Sequence, residues 1–257
     1  MTWLVFAFFI TALLYAMAGL GGGSTYSALL VLSEVDYRAL PTIALGCNII
    51  VTASCSVQFA RHGYVPWRGL LPILAASVPM AFIGGLIPVQ KWMFTLLLGV
   101  ALLVSGVLLI TQDLRLGPTI KRSMRSNNAL VHAGIGGGIG LLAGIVGIGG
   151  GIFLAPILHL LNWNAARIIT GACSVFIMTN SVAGLGGQLL KLQHFDMLGA
   201  VTNHVWLFPT VLAGGLIGNR INRQYLSPIW IRRITGVLIL YVAVRLLVLT
   251  PGVFANG

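Results

Sequence analysis

The chain has 257 residues, of which 58% are apolar and only 7% are charged, and its mean hydropathy is +0.98. Soluble proteins average about 25% charged residues, so this composition excludes an ordinary soluble domain. The formal net charge of +11 would suggest a nucleic-acid partner in a soluble protein. Here the basic residues lie between apolar runs, where they can contact anionic lipid headgroups, and we expect a lipid bilayer and no nucleic acid.

Apolar runs of about 20 residues, the length that crosses a bilayer as a helix, follow one another along the chain. Backbone polar groups cannot stay unpaired in lipid, so we predict an all-α polytopic membrane protein with about eight transmembrane helices. The predicted spans are Thr2–Gly19, Leu40–Ala60, Gly69–Pro88, Trp92–Thr111, Ala129–Val146, Ile168–Leu190, Met197–Gly218 and Ile229–Leu249. The first resembles a signal peptide but lacks its basic start, so we expect it to be a span.

Short motifs recur in the same order in the two halves of the chain. The triplet Gly21, Gly22, Gly23 recurs as Gly149, Gly150, Gly151, "GCN" at 46–48 as "ACS" at 172–174, and "GGLI" at 84–87 again at 214–217. We therefore predict two homologous four-span repeats, 1–111 and 129–257, joined by a polar linker at 112–128. Four spans per repeat would make the repeats parallel, whereas an additional re-entrant or full span in each would invert them. Under eight spans the basic residues divide evenly between the two sides, so they do not orient the chain.

Each glycine triplet interrupts an apolar run that is too long for one straight helix. Residues 2–33 carry no strong charge and would extend about 48 Å as a helix, whereas the hydrocarbon core is about 30 Å thick. We predict a glycine-broken or re-entrant helix in each half, with a short helix starting just after the triplet, at Ser24–Leu32 and at Ile152–Leu161. Such helix starts present unpaired N–H groups and the positive end of the helix dipole, so we expect an anion to bind there, with Ser24 at the first of them. Alternatively, the glycines serve only close helix packing, as we expect for Gly134–Gly140.

Polar side chains inside the second span of each half are further candidates for the site. Asn48 and Ser174 occupy corresponding positions, and both can donate hydrogen bonds to an oxyanion without fixing it by charge. The remaining polar residues of these spans are expected to join helices. The neighbouring Cys47 and Cys173 either contact a sulfur-containing anion or pack as small apolar side chains. His204, predicted inside the seventh span, either attracts an anion or relays a proton, or packs as a neutral imidazole.

The openings "GLGGG" and "GIGGG", the cores "ALGCNI" and "TGACSV" and the glycine pairs that end the third spans resemble the TauE/SafE family of anion exporters. The resemblance covers nearly the whole chain. It implies a multi-pass protein of the bacterial inner membrane that exports sulfite or organosulfonates. Cores of that family usually read glycine-threonine-serine. Cys47 and Cys173 stand here in the threonine positions and Asn48 stands in the first serine position, so the particular anion remains open.

Other classes of protein find little support in the sequence. Paired carboxylates, nucleophile motifs and metal-ligand spacings are absent, so we expect no enzymatic activity, no metal and no cofactor. The three cysteines all lie in predicted spans without CxxC spacing, which argues against disulfides and zinc. The alternatives to a sulfite or organosulfonate exporter are an anion channel and a carrier of another small anion such as thiosulfate.

Overall fold

The computed structural model describes residues 2–111, 129–161, 163–194, 198–220 and 236–248. These residues are helical apart from short connections. The helices are α1 (Thr2–Ala18), α2 (Gly23–Leu32), α3 (Leu40–Arg61), α4 (Trp67–Leu86), α5 (Lys91–Thr111), α6 (Ala129–Val146), α7 (Gly151–Leu160), α8 (Ala166–His194), α9 (Leu198–Thr202), α10 (Leu207–Arg220) and α11 (Gly236–Val248). Among them, α3, α4, α5 and α8 are long and apolar enough to cross a membrane singly. The predicted linker lies outside the described residues.

Both predicted helix breaks are present. The first separates α1 from α2, and the second separates α6 from α7. The chain turns through glycines with positive φ, at +72° for Gly19, +82° for Gly147 and +78° for both Gly149 and Gly150. Residues with a Cβ rarely adopt such angles, which explains the clustering of glycines at these turns. The prediction of a short helix after each triplet is therefore confirmed, and each starts one residue earlier than expected.

The two central helices, α3 and α8, run in opposite directions. As residue numbers increase along α3, the numbers of the residues that they contact on α8 decrease: Leu45 contacts Gly184, Ser56 contacts Ser174, and Phe59 contacts Gly171. The sequence left parallel and inverted halves open and counted four spans in each. An antiparallel crossing of α3 and α8 is what inverted halves would produce.

The short helix α2 accounts for this reversal. Gly19, at the end of α1, lies against Phe59 near the end of α3. Leu32, at the end of α2, lines a small cavity with Trp3 and Leu4 of α1, so α2 returns the chain to the end of the molecule where α1 begins. α3 therefore starts at the end of the molecule where α1 also starts, and α1 and α3 both finish at the other end. Among the described helices, four are long and apolar enough to cross a membrane singly, so the count of eight spans stays a prediction.

Two parallel helix pairs join the halves through glycines that lack a Cβ at the contact. Glycines of α6 lie against backbone carbonyls of α4: Gly136 on Ile73, Gly140 on Ser77, and Gly144 on Ala81. In the same way, Gly214 and Gly218 of α10 lie against the carbonyls of Phe9 and Leu13 on α1. Backbones approach this closely only where a side chain is missing. The expected packing role is thus confirmed for Gly136 and Gly140, whereas Gly134 and Gly138 face open space.

Gly140→Ala should destabilise the protein, and Gly138→Ala should not. A methyl group on Gly140 would overlap the Ser77 backbone, which cannot rotate away, and overpacking of this kind costs about 1–3 kcal/mol. Gly138 is the matched control, because it lies in the same helix and gains the same helix propensity. Thermal melting of the two variants in detergent is the measurement. Equal melting temperatures would contradict the described α4–α6 contact.

The predicted seventh span, Met197–Gly218, is wrong as one continuous helix. α9 ends at Thr202 and α10 begins at Leu207, and a turn lies between them. Pro209 follows in the first turn of α10, the position where a missing backbone N–H costs no hydrogen bond, so it favours a new helix start over a continuous one. His204 therefore lies in a turn and not within a helix.

Candidate functional site

The two helix breaks converge on the side chain of Asn48, which is fully buried in α3. Its Nδ2 donates a hydrogen bond to the carbonyl oxygen of Ile148, in the second break, at 3.2 Å. A Cβ at Gly149 would lie 2.8 Å from the same Nδ2, and a Cβ at Gly21, in the first break, would lie 2.9 Å from Asn48 Oδ1. A Cβ at Gly23 would overlap this amide as well. One side chain thus contacts both breaks.

The starts of α2 and α7 supply hydrogen-bond donors at this point. Neither helix has a side chain that caps its first turn. The first N–H groups of an α-helix have no partner within the helix, and they carry the positive end of its dipole. Both helix starts lie next to Asn48, through Gly23 of α2 and through Gly149 just before α7, together with the acceptor oxygens of Ile148 and Asn48 itself.

Unpartnered polar atoms lie around the same helix crossing. Among the described residues, Asn48 Oδ1, Ser181 Oγ and both amide atoms of Asn180 are buried without a hydrogen-bond partner. Ser181 Oγ is 3.0 Å from the position that a Cβ at Gly149 would take. Of these atoms, Ser181 Oγ and Asn180 Nδ2 can donate to an anion, whereas Asn48 Oδ1 and Asn180 Oδ1 are acceptors that need a donor such as water. The sequence predicted only helix–helix contacts for Asn180 and Ser181. The feature that could have identified them as site residues is the polar run that they form with Thr179 inside an apolar span.

The structure does not bring Asn48 and Ser174 together. Ser174 Oγ lies 3.2 Å from Ser56 Oγ, and Ser56 follows Asn48 by about 12 Å along α3. Because α3 and α8 are antiparallel, corresponding residues lie at opposite ends of the crossing, and each meets the partner helix at a different residue. Asn48 is thus close to the glycine breaks, and Ser174 belongs to a separate polar contact.

The middle glycine of each triplet faces away from Asn48. A Cβ at Gly22 would meet Thr11 and Tyr15 of α1 at 3.1 and 3.2 Å. A Cβ at Gly150 would meet Ile139 of α6 at 2.8 Å. A side chain at either position would thus contact other helices, whereas one at Gly21 or Gly149 would face the Asn48 amide; anion binding by the amides of Gly22 and Gly150 stays a prediction.

The other predicted site residues are buried at the edges of this centre. Ser24 lies in the first turn of α2, and Gly151, which starts α7, packs on Ile177 of α8. Cys47 and Cys173 are fully buried in two different apolar clusters. Their surroundings favour the packing alternative for the thiols over a shared contact with one anion.

His204 lines a small cavity with the end of α2, next to Leu32, Ser33 and Glu34. Leu32 ends the ten-residue helix that starts at Gly23, so the imidazole is about 15 Å along α2 from the helix start that faces Asn48. The structure thus places His204 near one end of the molecule, apart from the convergence of the two breaks.

His204→Gln should leave the pH dependence of anion flux unchanged between about pH 5 and 8, the range in which an unperturbed imidazole titrates. The reason is its distance from the Asn48 centre along α2. The measurement is the pH profile of flux in proteoliposomes, with the wild-type protein in parallel. A flattened profile in the variant would support a charge or proton relay at His204.

Apolar helices that can cross a membrane, together with two broken helices whose starts meet at a buried polar centre, are typical of multi-pass membrane transporters. The sequence comparisons agree with this class. The sulfite exporter TauE/SafE family matches residues 4–246, and the chain belongs to this family. It is also 34% identical over 248 residues to the probable membrane transporter protein y4hK of Sinorhizobium fredii, an alignment that covers 95% of this chain and 97% of that protein. No solved structure is significantly similar to the chain. The protein is therefore a membrane transporter.

Proposed function

We propose that the protein exports small sulfur-containing anions, such as sulfite or organosulfonates, across the bacterial inner membrane. The observation that carries this proposal is the convergence of the starts of α2 and α7 on Asn48. Backbone N–H groups and the Ser181 hydroxyl would donate hydrogen bonds to the oxyanion. A site of dipoles without a fixed cation binds an anion and still releases it, as transport requires.

The proposal includes an inverted repeat of the two halves. The recurring motifs place α1 with α6, α2 with α7, and α3 with α8. The contacts follow the same correspondence, since α4 packs on α6 in the way that α10 packs on α1. A two-fold axis in the membrane plane would also exchange the neighbourhood of Asn48 and Ser181 with the contact between Ser174 and Ser56.

Packing around the centre favours a carrier over an open channel. Cβ atoms at Gly21, Gly23 and Gly149 would all lie within 3 Å of neighbouring atoms, so protein atoms surround the Asn48 amide closely. Access for an anion then requires the two halves to move against each other, as in alternating access.

When α2 and α7 are included among the helices of each half, the basic residues indicate which end of the molecule faces the cytoplasm. The end where α3 finishes carries Arg61, Arg68, Arg167 and Arg220 in the described residues. The segments 112–128 and 221–235 connect helices that end or begin there, and their sequences add Arg115, Lys121, Arg122, Arg125, Arg223, Arg232 and Arg233. The opposite end carries Arg38, Lys91 and Lys191, and Arg245 lies in the last turn of α11 toward that end. We infer that the end of α3 faces the cytoplasm, because cytoplasmic loops are enriched in Lys and Arg.

Single cysteines should show this topology directly. Glu34 and Asn164 are exposed in the α2–α3 and α7–α8 connections, which correspond in the two halves and which the inverted arrangement places on opposite faces. A membrane-impermeant thiol reagent added to intact cells should label Glu34→Cys and spare Asn164→Cys. The native Cys47, Cys55 and Cys173 are buried, so the parent protein is the background control. Labelling of both variants from one side would contradict the inverted arrangement.

Uptake of a panel of anions into proteoliposomes tests the substrate class. We expect saturable uptake of labelled sulfite that unlabelled organosulfonates inhibit, with chloride and nitrate as matched monovalent controls. Transport of thiosulfate in preference to sulfite would support the alternative carrier. Transport of none of the sulfur anions would contradict the proposal.

A further inference from the structure

A cavity of about 320 Å³ opens at the end of the molecule where α3 begins and α8 ends. Two cationic side chains from separate elements line it, Arg38 of the α2–α3 connection and Lys191 in the last turn of α8. Tyr37 and Gln90 add neutral polar groups, and no carboxylate is among the described residues that line it. The charge of this cavity therefore favours anions.

The arginine of this cavity is held in position by its neighbours. Arg38 Nε donates a hydrogen bond to the Tyr37 hydroxyl at 3.0 Å, and the guanidinium lies 5.4 Å from the centre of the Tyr37 ring. The nearby Asp36 carboxylate accepts the backbone N–H of Arg38 at 2.8 Å, and its negative charge offsets part of the positive charge of the guanidinium, so the net attraction for an anion also depends on Lys191.

The cavity adjoins the second helix break. Pro41 lines it, and a Cβ at Gly147, where that break begins, would lie 2.8 Å from Pro41 Cβ. Pro41 precedes Asn48 by about 10 Å along α3. Lys191 and Ile145 line the other wall, and Gln188, one turn before Lys191, donates to the carbonyl oxygen of Gly144 at 2.7 Å. The cavity thus lies about 10 Å along α3 from the centre where the two breaks meet.

We propose that this cavity is a second anion-binding site, a vestibule through which the transported oxyanion passes between solvent and the Asn48 centre, with Arg38 and Lys191 as its cationic ligands. The proposal rests on the proposed transport of sulfur oxyanions. The cavity volume accommodates a small oxyanion with several waters, each of which takes about 30 Å³ in the liquid.

The opposite end of the α3–α8 pair supports the assignment. Arg61 and Arg167 occupy positions there that correspond to Lys191 and Arg38 in the other half. The Arg167 guanidinium covers the ring of Tyr64 at 4.3 Å from its centre. A cation pair thus recurs at both ends of the path, as expected for sites that an anion meets on entry and on exit.

Glutamine variants test the vestibule in transport. Lys191→Gln and Arg38→Gln should each raise the KM for labelled sulfite roughly twofold to fivefold, and the double variant should raise it further, with little change in maximal rate and a smaller effect at high salt. Lys91→Gln is the matched control, since Lys91 is an exposed cation at the same end that does not line the cavity. An unchanged KM in the double variant would overturn the proposal.

A transport-independent readout separates this proposal from the proposed function. In Arg38→Cys, the new thiol should react faster with an anionic sulfonate-bearing methanethiosulfonate than with a cationic trimethylammonium analogue. Excess methanesulfonate, which does not cleave disulfides, should slow that reaction. Equal rates without protection would overturn the vestibule even if sulfite is transported. Protection in a protein that transports no sulfur anion would contradict the proposed function and leave the anion-binding cavity in place.

Discussion

Asn48→Asp should abolish anion transport in a protein that still folds. The substitution keeps the shape of the side chain and places a negative charge where the starts of α2 and α7 meet. Two like charges about 4 Å apart repel by about 4 kcal/mol at an effective dielectric constant of about 20, which corresponds to roughly a thousandfold loss of affinity. The measurements are sulfite uptake in proteoliposomes and the melting temperature of the same preparation.

Asn48→Ser is the matched control for this experiment. It also removes the hydrogen bond to the Ile148 carbonyl, which costs about 1–3 kcal/mol of stability, but it adds no charge. We expect this variant to melt earlier and to keep its sulfite affinity to within about tenfold. Wild-type affinity in Asn48→Asp would contradict a site at Asn48, because a carboxylate next to the bound anion would repel it.

Gly21→Ala should lose transport at least tenfold, whereas the neighbouring Gly22→Ala should keep it. A methyl group on Gly21 would lie 2.9 Å from both Asn48 Oδ1 and Ile177 Cγ2, in the space that the anion would enter. A methyl group on Gly22 would point toward Thr11 and Tyr15 of α1 instead. Neither glycine has a positive φ, so backbone strain does not separate the two variants.

The comparison of Gly21 with Gly22 also decides between the two roles proposed for the triplets. Sulfite affinity is measured on the folded fraction of each variant, beside its melting temperature. We expect Gly21→Ala to melt earlier than Gly22→Ala, because its methyl group would lie closer than 3.0 Å to two side chains, and its folded fraction to bind sulfite more weakly. Early melting of both variants at unchanged affinity would mean that both glycines serve packing only.

The helix breaks could be predicted because their cause is local. Three consecutive glycines in a charge-free run that is too long for the bilayer require a turn, and the structure has α2 and α7 just after the triplets. The number of passes could not be predicted in the same way. Each of these helices has only ten residues, fewer than the 17 to 25 or so that mark a span in sequence, and their return across the molecule depends on contacts with the far ends of α1 and α3.

Whether α2 and α7 are counted as passes changes how the basic residues divide between the two ends of the molecule. With an even number of passes in each half, Arg61 and Arg167 fall on opposite sides of the membrane, and the basic residues give no orientation. With α2 and α7 included, the two arginines lie at one end, and the Arg167 guanidinium stacks on Tyr64 there. Whether each half contains an even or an odd number of helices therefore determines the orientation that the basic residues indicate.

The candidate site was predicted in part for similar reasons. Asn48 stood out as a polar residue at a recurring motif, and it does meet both breaks. Its partner was expected to be Ser174, because the two correspond in sequence. The antiparallel crossing instead places Ser181 near Asn48 and pairs Ser174 with Ser56. Which residues meet across two helices depends on helix direction, and the sequence did not establish that direction.

Sulfite counterflow in proteoliposomes tests whether the protein is a carrier of small sulfur anions. Vesicles loaded with unlabelled sulfite are diluted into a trace of labelled sulfite, with the Asn48→Asp variant and protein-free vesicles in parallel. We predict a transient accumulation of label above equilibrium in wild-type vesicles alone, because a carrier exchanges bound substrate across the membrane. Label that only approaches equilibrium without an overshoot, or an equal overshoot in Asn48→Asp vesicles, would contradict this account.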